Sequence, residues 1–413
     1  MRPGVLTAFV AGAQGRPRWA THARSVAGLE HSSTRRATAL DGLRGLAAAG
    51  VMAHHAWLQC ARPDTLLGPW WGRLSIGVPF FFCLSGFLLY GPWVRAALQP
   101  GVPRPATGRY GLRRAARVLP LYWLALAGSI LVLHGTGSWR LVEDERIVWF
   151  LLFAQNVVPG LAGRLDPPMW TLTVEVSFYL LLPVFGALAL RAGGSRSRQL
   201  VAIGALAVLG LAWRVLAQPK GAPPEVERTL PEMLPVFCAG MAARVLADGR
   251  QIGPRLTWAL LGAGGLLVWA YARGSLAWPL DNLTRELPAA IGFAAICAAC
   301  GSAAAPRLLS SRPVLALGTL SFGVYLWHYP LIFALQRAGL WPADHFALAL
   351  AVLTVLSIVA AWLSWRLVEE PVLRAVQRRT SAPAARGDRG RGRPSERPAQ
   401  AAHAGAVPPP LLA

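Results

Sequence analysis

Residues 39–57, ALDGLRGLAAAGVMAHHAW, set Asp41, Arg44, His54 and His55 into a run of small apolar residues. A helix needs about 20 such residues to cross hydrocarbon. An ionisable group within a span is costly in lipid and normally faces a bundle interior or a water-filled cavity. Reading this stretch as a membrane helix therefore decides the class of the protein and says where to look for its chemistry.

The remainder of the chain has the same character. Of 413 residues, 54% are hydrophobic and 15% charged, mean hydropathy is positive, and the apolar residues gather in runs of about twenty. The excess of 41 Lys plus Arg over 19 Asp plus Glu could suit nucleic acid. The arginines, however, sit in short blocks between apolar runs and in both tails, which is the distribution of the positive-inside rule. Cys60, Cys83 and Cys238 are isolated in or beside spans, and Cys297 with Cys300 lies in an apolar run without a nearby His. That pattern suits packing rather than a disulfide framework, and no metal-ligand set is expected.

Apolar helices are predicted at about 38–60, 73–96, 115–134, 169–190, 199–217, 231–248, 256–273, 286–304, 315–338 and 346–368, with a shorter apolar stretch at 146–158. If the short stretch does not cross, the N-terminal arginines, the 109–117 block, Arg191 to Arg198, Arg244 to Arg255, Arg307 with Arg312, and the C-terminal tail all fall on one side. The expected fold is an all-α polytopic bundle of about ten transmembrane helices, both termini cytoplasmic, with 146–158 dipping into or lying on the outer face. Three segments follow: a cytoplasmic leader at 1–37, a transmembrane domain at 38–372, and a basic, Pro/Gly-rich tail at 373–413 whose composition cannot bury a core.

Along a helix, Arg44 and His55 are eleven residues apart, which returns to within about 20° of one face and rises roughly 16 Å. One stripe thus links a cation at the inner surface to an imidazole deep in the span. Asp41, one turn earlier, can pair with Arg44 or cap the helix start. Arg114 and Arg117 in RRAARVLPLYW share a face on the same side, where forked guanidinium groups suit a polyphosphate or serve as a topology anchor. Glu175 in PPMWTLTVEVSFYLLLPVF is a lone carboxylate about 10 Å in from the outer face, in the half of the bilayer that His55 approaches. It can form an acid–base pair with the imidazole, fixing its tautomer, or knit two helices together. Ser321, Tyr325 and His328 in LSFGVYLWHYPLIF fall at i, i+4 and i+7 on one face, to bind substrate or to join helices.

These segments resemble the acyltransferase 3 family. The resemblance rests on Arg44 and His55 after LDGL, FFCLSGFLL around Ser85, RAAR at Arg114 and Arg117, WTLTVEVSFYLLLP, YLWHYP and RLVEEP, in the family's order over about residues 38–371. It implies a ten-helix enzyme of the cell membrane, in a bacterium the cytoplasmic membrane, moving an acyl group from a thioester donor such as acyl-coenzyme A to a hydroxyl. Acetyl is the default group, and the acceptor is a sugar, glycan or glycosylated small molecule. Acyl-coenzyme A is then a co-substrate, and no bound cofactor or nucleic acid is expected. The resemblance makes His55, Glu175 and Arg44 catalytic, and gives substrate binding to Arg114, Arg117, Trp170, Tyr325, His328, Ser85 and Asp41, with Glu369 beside them. A stand-alone member without an SGNH-type domain is expected. The competing class is a proton-coupled secondary transporter or exporter, in which Glu175 and His55 relay protons.

Overall fold

The structure, a computed structural model, describes residues 36–61, 68–134, 146–217, 228–273 and 286–381. Among them, ten helices of 14 to 27 residues form a bundle. They are α1 (Arg36–Leu58), α2 (Gly77–Leu98), α3 (Thr107–Leu133), α4 (Trp170–Ala192), α5 (Arg196–Ala217), α6 (Leu230–Ala247), α7 (Pro254–Arg273), α8 (Leu287–Cys300), α9 (Arg312–Arg337) and α10 (Phe346–Ser364). A π-helical turn at Trp365–Glu369 leads into α11 (Glu370–Ser381). The described residues contain no strand.

Helices α2, α3, α4, α5, α6, α9 and α10 are long and apolar enough to cross a membrane. With every backbone group bonded within its own segment, a helix is the structure that hydrocarbon tolerates. The protein is therefore an all-α, multi-pass membrane protein. Leu180, Val201, Leu216, Leu266 and Val355 point outward, as lipid-facing side chains do.

The stretch at 146–158 does not form a spanning helix. A five-residue helix, Ile147–Leu151, is followed by Phe153 at φ 56° and a 3₁₀ turn at Gln155–Val157. Its backbone is satisfied from neighbouring elements: Tyr122 donates to the Phe150 carbonyl at 2.7 Å and Trp123 to that of Leu151 at 3.3 Å. Asn156 in turn donates to the carbonyls of Trp170 (2.8 Å) and Arg228 (2.7 Å). The segment is irregular, with Phe150, Phe153, Gln155 and Asn156 buried against the bundle and Val148, Trp149, Leu151, Leu152 and Val157 exposed.

Contacts at the helix ends give the bundle two distinct ends. At one, Thr38 bonds Ser310 (2.8 Å), Arg117 meets Glu369, and Arg196 donates to the carbonyls of Val245 and Asp248. This is the basic end. At the other, Arg214 ties Glu232 to Glu286, Arg337 donates to the carbonyl of His134, and Trp341 to that of Gln59. Helices α1 and α9 both start at the basic end and run side by side.

Candidate active site

The seam between α1 and α9 builds the centre of the molecule. Small residues let the two backbones meet: a Cβ on Gly45 would lie 2.6 Å from the Gly318 amide nitrogen, the close approach that small residues permit in membrane bundles. Along this seam Arg44 donates to Ser321 Oγ and to the Gly318 carbonyl, both at 3.1 Å, and pairs with Asp41 at 3.4 Å. Further along, His55 Nδ1 and His328 Nε2 are 2.9 Å apart, and Gln59 donates to the Tyr329 hydroxyl at 3.0 Å. The stripe read from the sequence thus lies against α9, and Asp41 pairs with Arg44 rather than standing apart as a cap.

Two chambers flank the seam. The chamber toward the basic end is lined by Arg44, Arg114, Arg117, Ser85, Glu175 and Tyr179 among apolar side chains of α2 and α3. The chamber toward the far end is lined by His54, His55, Trp170, Arg73, Tyr271 and Glu286. Val78 and Tyr325 line both and form the shared wall. The Tyr325 hydroxyl sits between Thr171 Oγ1 (2.8 Å) and the Pro168 carbonyl (3.2 Å), which ties α9 to the start of α4 at this wall.

The basic chamber separates the two arginines that the sequence grouped. Arg117 pairs with Glu369 at 3.1 Å and lies between the rings of Phe322 (5.7 Å) and Trp365 (5.5 Å). It is held by a buried carboxylate, and the π turn aims that carboxylate inward, as such turns do at functional sites. Arg114 has no described hydrogen bond or ion pair, and its Nε is buried without a partner. A half-buried guanidinium that faces a cavity with no described ion pair is suited to holding an anion.

Glu175 does not meet His55 among the described contacts. Ser85 Oγ donates to its Oε1 at 2.8 Å, and the Tyr179 hydroxyl, one turn along α4, donates to the same oxygen. Depth alone put Glu175 near His55, whereas its azimuth on α4 turns it toward α2 and the basic chamber. His328 is fully buried behind His55 and lines neither chamber. Trp170 stands at the mouth of the far chamber, with the Arg228 guanidinium 5.5 Å above its ring.

Sequence reasoning missed Tyr179, Arg228, Tyr271 and Glu286. Tyr179 was findable, being four residues after Glu175 on one helix face. The other three flank apolar runs at helix ends, where nothing local marks them as facing a chamber.

The many-helix bundle thus brings guanidinium groups and an imidazole to two adjoining chambers. The family model described as "Acyltransferase domain" matches residues 38–366, and the chain belongs to this acyltransferase 3 family. It is an acyltransferase. It is 29% identical to "Nodulation protein 10" of Rhizobium leguminosarum bv. viciae, over 84% of this chain and 95% of that protein. It is 28% identical to the "Putative peptidoglycan O-acetyltransferase YrhL" of Bacillus subtilis, over 81% of this chain and 54% of that one. With "Acyltransferase MdmB" of Streptomyces mycarofaciens it shares 29% identity, over 83% and 93%. No solved structure matches the chain.

Proposed function

We propose that the protein moves an acyl group, acetyl in the first instance, from cytoplasmic acyl-coenzyme A to a hydroxyl of a carbohydrate or glycosylated small molecule, with His55 as general base. The observation that carries this reading is the pair of chambers sharing the Val78 and Tyr325 wall, a partnerless Arg114 on one side and His55 on the other. The arginine-rich end is the cytoplasmic one by the positive-inside rule. The donor's phosphates rest there against Arg114, beside the ion-paired Arg117 and Arg44. Its thin arm enters along the apolar lining of α2 and α3 toward Tyr325.

The acceptor enters the far chamber. Trp170 and Tyr271 offer flat apolar faces for a sugar ring, and His54, Arg73 and Glu286 offer polar edges, a lining suited to a hydroxyl-rich ligand. His55 takes the proton of the acceptor hydroxyl as its oxygen attacks the thioester carbonyl carbon. The C–O bond forms, the tetrahedral intermediate collapses, the C–S bond breaks, and the departing thiolate takes the proton back from the imidazolium. Positioned base catalysis of this kind is worth about 10²–10⁴-fold. The names of relatives such as YrhL and the "Peptidoglycan O-acetyltransferase OatA" of Listeria monocytogenes support an O-linked glycan acceptor.

Protein reconstituted in nanodiscs tests the reading, with radiolabelled acetyl-coenzyme A and envelope glycans or exported glycosides as acceptors. Acceptor-dependent release of free coenzyme A, lost in His55→Ala, is the expected result. Transport of an unmodified solute without thioester cleavage would overturn it.

A further inference from the structure

The proton positions around His55 follow from what its neighbours can accept. His328 Nδ1 lies 3.1 Å from the Val324 carbonyl oxygen. A carbonyl only accepts, so His328 Nδ1 carries a proton. The ring is fully buried and no carboxylate is among its described partners. A second proton would leave an unpaired charge inside the bundle, so the ring is neutral and its Nε2 holds a lone pair. His55 Nδ1, 2.9 Å away, is therefore the donor, and His55 Nε2 is the bare, basic nitrogen on a ring that lines the far chamber.

We infer that His328 is a positioning residue that fixes the reactive tautomer of His55, through the chain His55 Nδ1–H to His328 Nε2 and His328 Nδ1–H to the Val324 carbonyl. The two rings lie side by side and within 19° of coplanar, with centroids 5.1 Å apart, and Tyr329 closes edge-on to His55 at 5.1 Å, so the ring plane is held as well as the proton. Triad enzymes give this work to a buried carboxylate. Here a neutral imidazole performs it at membrane depth, where a second charge would be costly. When His55 is protonated during transfer, its Nδ1–H bond to His328 becomes charge-assisted and stronger. The other titratable groups around the pair are His54, Tyr325 and Tyr329.

This assignment rests on His55 as the base of the proposed reaction, and two variants with two readouts test it. His328→Gln keeps an acceptor oxygen near the place of Nε2, whereas His328→Leu keeps bulk and removes the acceptor. The leucine variant is expected to lose about 10²-fold in kcat with KM for the acyl donor unchanged, and the glutamine variant to stay within about 10-fold of the parent. Ring-nitrogen NMR of histidine-labelled protein in nanodiscs should show His55 protonated at Nδ1, and both tautomers populated in His328→Leu. Parent-level kcat in His328→Leu, or a parent spectrum with the His55 proton on Nε2, would overturn the inference. The spectrum is read without substrate, so an inactive parent enzyme would count against the functional reading while the tautomer was still decided.

Discussion

A Cβ on Gly318 would fall 2.3 Å from the carbonyl oxygen of Asp41, so α1 and α9 touch backbone to backbone at the basic end. That contact sets the helix spacing at which Arg44 reaches Ser321, and its effect carries along the seam to His55 and His328. Gly318→Ala forces the helices apart and is expected to cost about 1–3 kcal/mol, as overpacking of a tight contact does. It should also lower activity through both pairs. Gly262, with open space around it, is the control. Melting in detergent should fall for Gly318→Ala and stay unchanged for Gly262→Ala.

The two arginines of RAAR are expected to fail differently. Arg114→Gln removes a partnerless cation, so KM for acyl-coenzyme A should rise about tenfold or more, an electrostatic contact being worth roughly 1.5–3 kcal/mol, with little change in melting. Arg117→Gln removes the ion-pair partner of the Glu369 carboxylate, whose side chain is 2% exposed. Breaking a buried pair costs about 3–5 kcal/mol, so this variant should melt earlier, and Arg117→Gln with Glu369→Gln should recover part of the loss. Equal KM effects without any change in melting would show that both act on the donor alone.

Glu175→Gln keeps an oxygen able to accept from Ser85 and Tyr179, while Glu175→Leu leaves both hydroxyls without it. A role in shaping the basic chamber predicts activity within about tenfold for the glutamine and a loss of about 10² for the leucine. A collapse in both would restore Glu175 to proton transfer. Initial rates at saturating donor separate the two outcomes.

At the far end, Arg214 holds Glu232 at 3.0 Å and Glu286 at 3.1 Å, with side chains 2%, 4% and 11% exposed. Arg214→Met leaves two carboxylates buried together and should cost about 3–5 kcal/mol. Because Glu286 also lines the far chamber, KM for the acceptor should rise more than KM for the donor. Thermal melting and two-substrate kinetics check this.

Asp166, in the segment before α4, is 1% exposed, and neither carboxylate oxygen has a hydrogen-bond partner. Burial pushes its pKa well above the usual carboxylate range. The folded state thus favours the protonated form: the stability is fully present below the unfolded pKa and declines as pH rises toward the folded one. Asp166→Asn should raise the melting temperature at pH 8 and leave it unchanged at pH 4. A variant less stable than the parent at pH 8 would mean that the ionised carboxylate has a partner in solution.

The chain's own periodicities determined a great deal. Runs of about twenty apolar residues and the placement of arginines gave the helix positions and the failure of 146–158 to cross, because hydrocarbon thickness and backbone hydrogen bonding leave a chain few alternatives. The eleven-residue interval from Arg44 to His55 gave a shared face, since helical geometry is local. The partners are another matter. His55 with His328, Arg117 with Glu369, and Glu175 with Ser85 join residues 273, 252 and 90 positions apart. Which faces meet depends on how neighbouring helices rotate and how closely glycines let them approach, so tertiary packing alone decided that Glu175 serves one chamber and His55 the other.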